Sequence, residues 1–277
     1  MTKYSIDDLT TKLYPVADNF LTELRTKWYN ESQSYSTSEQ FIDEAQEWFK
    51  STRINDIQNW NKFECVDIIM GCTHFIESLI LKHGWDNIQI LHNEYGYYGL
   101  MGKHGIDPDQ LKPEIPLIVS LPNFSYADIR PEWETVLKIC EQRNIDIHID
   151  FAWILVANNI QIDVGHPNIK SFAMSLSKYN CHWNRIGLRW SKQRTMDSVN
   201  IMTKYYGDVN SGIISCGNFL IRNIPRDYTW NTYGELYHQI CSDLDVSPTK
   251  LINVVKSKQD NKVLGIGNLL TSLSNSN

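Results

Sequence analysis

From Phe63 onward, short apolar runs alternate with helix-patterned segments, and this succession narrows the fold more than any other feature. Val66-Asp67-Ile68-Ile69-Met70 reads as a strand that stops at Gly71-Cys72-Thr73. Phe75, Ile76, Leu79 and Ile80 then fall at helical spacing until Lys82-His83-Gly84, where a basic last turn followed by glycine marks a helix stop. Ile88-Gln89-Ile90-Leu91 reads as a strand, and the run Leu117-Ile118-Val119-Ser120-Leu121 suits a strand covered on both faces. Pro131 opens a helix through Trp133, Val136, Leu137 and Cys140 that closes near Arg143-Asn144. Ile145–Asp150 and Phe172-Ala173-Met174 supply further strands. The pattern predicts an α/β domain over about residues 61–195, a three-layer, mostly parallel sheet flanked by helices.

The flanking regions read differently. Leu9, Leu13, Val16, Phe20, Leu24 and Trp28 give residues 5–31 helical periodicity, with Pro15 kinking or dividing the region. Thr37 and Gln40 fit a capping box opening a second helix with the stripe Phe41, Ala45, Trp48 and Phe49. Residues 1–60 therefore read as a helical N-terminal region, and residues 196–277 as a reduced C-terminal segment ending in a frayed Ser/Asn-rich tail, Ser272–Asn277.

Composition excludes several classes. A net charge of −6 argues against nucleic acid as the main partner, because phosphate-backbone binding needs clustered cations. No apolar run has the length of a membrane span, and the N-terminus lacks the apolar centre of a signal peptide. Cys65, Cys72, Cys140, Cys181, Cys216 and Cys241 form no C-x-x-C pair, so zinc is not expected and reduced thiols in the cytoplasm are. Gly265-Ile266-Gly267 lacks the preceding strand and third glycine of a dinucleotide fingerprint.

Candidate functional residues cluster after the strands. Gly71-Cys72-Thr73 sits at a helix start, where free N–H groups suit a phosphate, although a plain threonine cap has the same signature. Tyr95, Tyr97 and Tyr98 around Gly96 could offer a flat face to a planar ring or pack as loop aromatics. Asn123 could donate from a loop. Asp150 ends a strand, the usual place for function in open α/β sheets, and shares a strand face with His148. In Ser175-Leu176-Ser177-Lys178, two hydroxyls lead into a lysine, and Arg185-Ile186-Gly187 follows with a cation able to hold an anion.

Five of these segments resemble, in order, motifs of the fold-type I pyridoxal-phosphate (PLP) enzymes, the aspartate aminotransferase-like group. Gly71-Cys72-Thr73 is similar to that family's phosphate loop, Glu94-Tyr95-Gly96-Tyr97 to its Glu-Pro-x-Tyr, Asp150-Phe151-Ala152-Trp153 to its Asp-x-Ala-Tyr, Ser175-Leu176-Ser177-Lys178 to its Ser-x-Ser-Lys, and Arg185-Ile186-Gly187 to its Arg-x-Gly. The resemblance covers about residues 60–190. It implies that Lys178 forms the imine (Schiff base) with the cofactor aldehyde and then moves a proton, while Asp150 keeps the pyridine nitrogen protonated and itself stays charged. It implies phosphate binding by Gly71, Cys72, Thr73, Ser175 and Arg185, ring stacking by Tyr97, and donation to the phenolic oxygen by Asn123. It also implies a homodimer.

The chain departs from those motifs. Trp153 stands where the tyrosine that bonds the phenolic oxygen is expected, and indole can only donate. Tyr95 replaces the proline, and the Asn-Pro-x-Gly stretch is altered at Pro122-Asn123-Phe124-Ser125. The stretch after Arg189 is shorter than the family's small domain. Arg222 and Arg226 are candidates for the arginine that clamps a substrate carboxylate, yet surface positions suit them better. A short C-terminal part would admit a bulky substrate, such as a peptide or carrier-tethered amine, or call for a partner chain. The function implied is an aminotransferase acting on a small amine or amino acid. Elimination, replacement or cyclisation on the same cofactor, and a non-catalytic cofactor-binding homologue, are the alternatives.

Overall fold

The computed structural model describes residues 4–12, 14–30, 37–179, 184–207 and 209–275. At its centre is a five-stranded sheet of β1 (Cys65–Ile69), β2 (Leu117–Ser120), β3 (Ile147–Asp150), β4 (Ile169–Ser175) and β5 (Gly187–Ser191). The spatial order is β1-β5-β4-β3-β2; β2, β3 and β4 run parallel, and β5 runs antiparallel to both β4 and β1. Helices α1 (Asn19–Asn30), α2 (Ser38–Lys50), α3 (Cys72–His83), α4 (Trp133–Gln142), α5 (Ser211–Asn223), α6 (Tyr228–Asp243) and α7 (Gly267–Ser274) surround it.

Both faces of the sheet are covered, so its strands are apolar almost throughout. On one face Val119, Ile149, Phe172, Met174 and Trp190 pack with Phe41 and Phe49 of α2. On the other, Ile69, Ile118 and Ala173 meet Phe75, Ile76 and Leu79 of α3. Trp190 is wholly buried, stacked on Phe172 at 5.1 Å and met edge-on by Phe49 at 5.6 Å. Burying a side chain of this kind stabilises by about 1.5–3 kcal/mol, so this aromatic knot anchors α2 to the sheet. Thr37 caps α2 as its sequence predicts, accepting the Gln40 N–H at 3.2 Å, while the Gln40 side chain accepts the Thr37 N–H at 2.9 Å.

Several expectations need correction. The helix expected over residues 5–31 is confined to α1; before it lie a single turn at Ile6–Asp8 and an extended stretch whose Thr10 pairs with Gly265. Pro15 lies within the non-helical stretch between Asp8 and Asn19, consistent with a residue that cannot donate a helical hydrogen bond and that biases its predecessor to extended backbone. Leu13 and Cys181 lie outside the described residues. Ile88–Leu91 makes isolated parallel bridges, Gln89 to Leu117 and Leu91 to Ile106, rather than a strand. Ser272–Ser274 belong to α7 instead of a frayed tail, while Ser276 and Asn277 lie outside the described residues. The two chain ends also pack together: Val16 joins Trp230, Tyr237, Ile252 and Leu270 in a core of their own.

Candidate active site

The loop from β1 into α3 passes close to the loop between β4 and β5. Gly71 takes φ +85°, which side-chain-bearing residues rarely adopt. A Cβ placed there would lie 3.4 Å from Ser177 Oγ and 3.6 Å from Arg185 Cβ. Gly71, Ser177 and Arg185 thus line one small space at the start of a twelve-residue helix, where unpaired N–H groups favour an anion. The Ser175 hydroxyl donates to Ser177 at 3.1 Å, and half-buried Thr73 is the second residue of the helix, after Cys72. Gly187 explains the spacing of Arg185-Ile186-Gly187. It pairs with Ser175 in the sheet, and a Cβ on it would clash with the Met174 carbonyl.

Asp150 lies at the carboxyl end of β3, beside Ser120 of β2 and Ala173 of β4 in the register. It is 4% exposed and accepts the Ala152 N–H at 2.8 Å. Burial raises its carboxyl above the ordinary range, while the Cys72 thiol, the Ala152 N–H and the nearby Lys178 pull it down. Retention of charge, expected from the resemblance, is therefore opposed by the protein alone, and a bound cation at this carboxylate would favour it. Cys72 lies against Asp150 and Ser175, its thiol 3.7 Å from the Ala173 carbonyl; burial, then Asp150, pushes it well up and keeps it protonated. Lys178 is half-buried, its Nζ 3.7 Å from the centroid of the Trp153 ring.

The remaining candidates divide. Tyr97 lies in the short helix Gly96–Leu100, stacks on Tyr95 at 5.9 Å and donates to Glu77 at 3.3 Å. Asn123 is fully buried; its amide donates one N–H to the Asn93 carbonyl and accepts the Ser125 N–H, which braces two loops. His148 forms no pair with Asp150, since its Nδ1 bonds Ser171 at 2.7 Å. Arg222 is bound to Glu44 at the surface. Arg226 is buried instead of exposed; it donates to the Ile154 carbonyl and lies 3.7 Å from Asp227.

Glu94, which opens the Glu94-Tyr95-Gly96-Tyr97 segment, has a partner that the sequence does not announce. Glu94 accepts the Ser120 N–H at 3.0 Å and pairs with buried Arg130 at 3.0 Å, and Arg130 also binds the His92 carbonyl and Glu132. Burial raises the Glu94 carboxyl against the pull of Ser120 and Arg130. A glutamate just past an apolar run was the available signal; nothing local pairs it with an arginine thirty-six residues on.

No family model and no curated protein matches the chain. Solved structures do. A PLP-bound C-S lyase from Staphylococcus hominis is 12% identical with a TM-score of 0.57, over 91% of this chain and 76% of its own. An L-threonine-O-3-phosphate decarboxylase from Porphyromonas gingivalis is 12% identical with a TM-score of 0.55, over 96% and 100%. An Escherichia coli protein with a methionine aminotransferase function is 12% identical with a TM-score of 0.57, over 88% and 76%. The chain therefore has the α/β fold of the fold-type I PLP-dependent enzymes.

Proposed function

We propose that this chain is a PLP-dependent enzyme acting on an amino group, most directly an aminotransferase. One observation carries the reading: the Gly71–Ser177–Arg185 space, the Asp150 carboxyl and the Lys178 amine come together at the carboxyl end of one sheet. These residues fit the group, because a dianion suits the helix start with its arginine, and a cationic ring nitrogen suits a buried carboxyl. When bound, PLP supplies an electron sink for the carbon next to the substrate nitrogen.

The chain's own residues do the rest. Arg185, Ser175, Ser177 and the N–H groups at Cys72 and Thr73 hold the phosphate. Asp150 keeps a proton on the ring nitrogen. Tyr97 and Tyr95 lie on the segment able to cover a ring face, and Asn123 holds the loop behind. Lys178 would be the amine that holds the cofactor aldehyde and that moves a proton at its Nζ, with the Trp153 ring 3.7 Å away limiting where that nitrogen can go. The test is an absorption spectrum after incubation with PLP, then borohydride reduction and peptide mass mapping. The expected result is a visible band and a trapped adduct on Lys178, both lost in Lys178→Ala; an unchanged spectrum in that variant sinks the reading.

Elimination or replacement is the second reading, because a C-S lyase shares the fold as closely as the protein with the methionine aminotransferase function does. Supplying an amino acid and identifying whether the cofactor ends as its amine or its aldehyde separates the two. We further propose that a second copy closes the site. Tyr95, Leu100 and Met101 are 42%, 91% and 55% exposed on the segment that carries Tyr97, an apolar face suited to burial.

A further inference from the structure

At the opposite, amino end of the parallel strands lies a second cavity, of about 570 Å³. It opens beside Asp146 before β3, Lys170 at the start of β4 and Ser191 at the end of antiparallel β5. The seven residues of β4 put it about 20 Å from the candidate active site, at roughly 3.3 Å per residue. Its size lies within the range of small-molecule sites and is too large for a lone inorganic phosphate.

The lining is basic in a chain of net charge −6: Lys62, Lys82, Lys170, Arg189 and Lys192 face two carboxylates, Asp146 and Asp197. Asp146 engages Lys170 at 3.5 Å, and Asp197 engages Arg189. Among the described residues, Lys62, Lys82 and Lys192 have no carboxylate within ion-pair distance; Lys192 donates instead to the His166 carbonyl at 2.6 Å. Arg189 is 1% exposed, and although Asp67 and Asp197 take its terminal nitrogens, its Nε has no acceptor. His83 Nε2 is likewise buried without a partner on the cavity's rim. The cations also act on one another: after burial, Lys170 and Lys62 are the causes that push the Lys192 ammonium below its usual value. Leu79 and Pro167 add apolar surface for an organic body.

We propose that this cavity binds a small phosphorylated molecule carrying at least two phosphate charges, of the nucleoside diphosphate class. The site is independent of the active-site reading. Phosphate oxygens supply the acceptors that Lys62, Lys82 and the Arg189 Nε lack, and the apolar wall receives the body. The experiment is calorimetric titration of the purified protein with ADP and with inorganic pyrophosphate, at ionic strength matched with sodium chloride. ADP is expected to bind saturably at one site. Lys62→Gln/Lys82→Gln, both exposed positions, should weaken it at least tenfold, and Arg185→Gln, at the other anion cradle, should leave it unchanged. The proposal is overturned if ADP shows no saturable binding, if pyrophosphate alone binds, if the double variant binds as the parent does, or if Arg185→Gln abolishes binding.

Discussion

His148 shows how much one side chain's setting decides. It is buried among cations, and burial first, then His83, Lys82, Arg189 and Lys170, lower its pKa to about 3. The unfolded chain takes up a proton below about pH 6.5 that the native state refuses, so stability is complete above that value and falls as pH drops toward about 3. His148→Gln should flatten this acid limb, read as urea midpoints between about pH 4 and 7; an unchanged slope would refute it. Gly187 is constrained by contact instead of charge. Gly187→Ala places a methyl against the Met174 carbonyl and should cost about 1–3 kcal/mol, seen as a lower denaturation midpoint. If the variant keeps the parent's midpoint, the packing argument for Arg185-Ile186-Gly187 fails.

At the scale of elements, α1 and α2 each begin at a side-chain cap, Asp18 accepting the Leu21 N–H and Thr37 the Gln40 N–H. Thr37→Ala removes the acceptor for the Gln40 N–H and should lower stability by about 1 kcal/mol, measurable by thermal unfolding. The α1 cap also ties in a distant helix: Asp18 is buried, accepts the Leu21 N–H at 2.8 Å and the Tyr228 hydroxyl at 2.6 Å, and also accepts the Tyr233 hydroxyl. Asp18→Ala leaves those hydroxyls of α6 without an acceptor. It should cost about 2–4 kcal/mol, since each abandoned buried group is worth about 1–3 kcal/mol. A loss no larger than that of Thr37→Ala would show that the junction contributes little. The shortened stretch at Ile88–Leu91 has a related cause. Its apolar residues are satisfied by burial, while its pairing is limited to single bridges on either side.

For the whole molecule, the two ends of the sheet have opposite tasks in these proposals, with a carboxyl and an amine at one and crowded cations at the other. Closure of the first end by a second copy predicts a particle of twice 32.2 kDa by light scattering. Leu100→Asp/Met101→Asp should shift it toward the monomer and weaken PLP retention together; a monomeric parent that retains PLP would dismiss the second copy.

The linear chain marked four of the five strands of the central sheet and the order of the residues along them, but not β5, whose Gly187–Ser191 takes its place between β1 and β4 only through antiparallel pairing with both. Strand-length apolar runs can be buried on both faces in few ways, and the segments around Gly71, Asp150, Ser175, Lys178 and Arg185 each lie at the end of such a run or in the loop after it. The capping box at Thr37 and the stop at Gly84 were legible for the same reason, being local hydrogen-bond and φ requirements. Tertiary structure alone decided the pairings between distant residues: Glu94 with Arg130, Arg189 between Asp67 and Asp197, Asp18 beneath two tyrosines, and the packing of both chain ends into one core. Such contacts depend on which loops the closed sheet brings within a few ångströms, and periodicity along the chain carries no record of that distance.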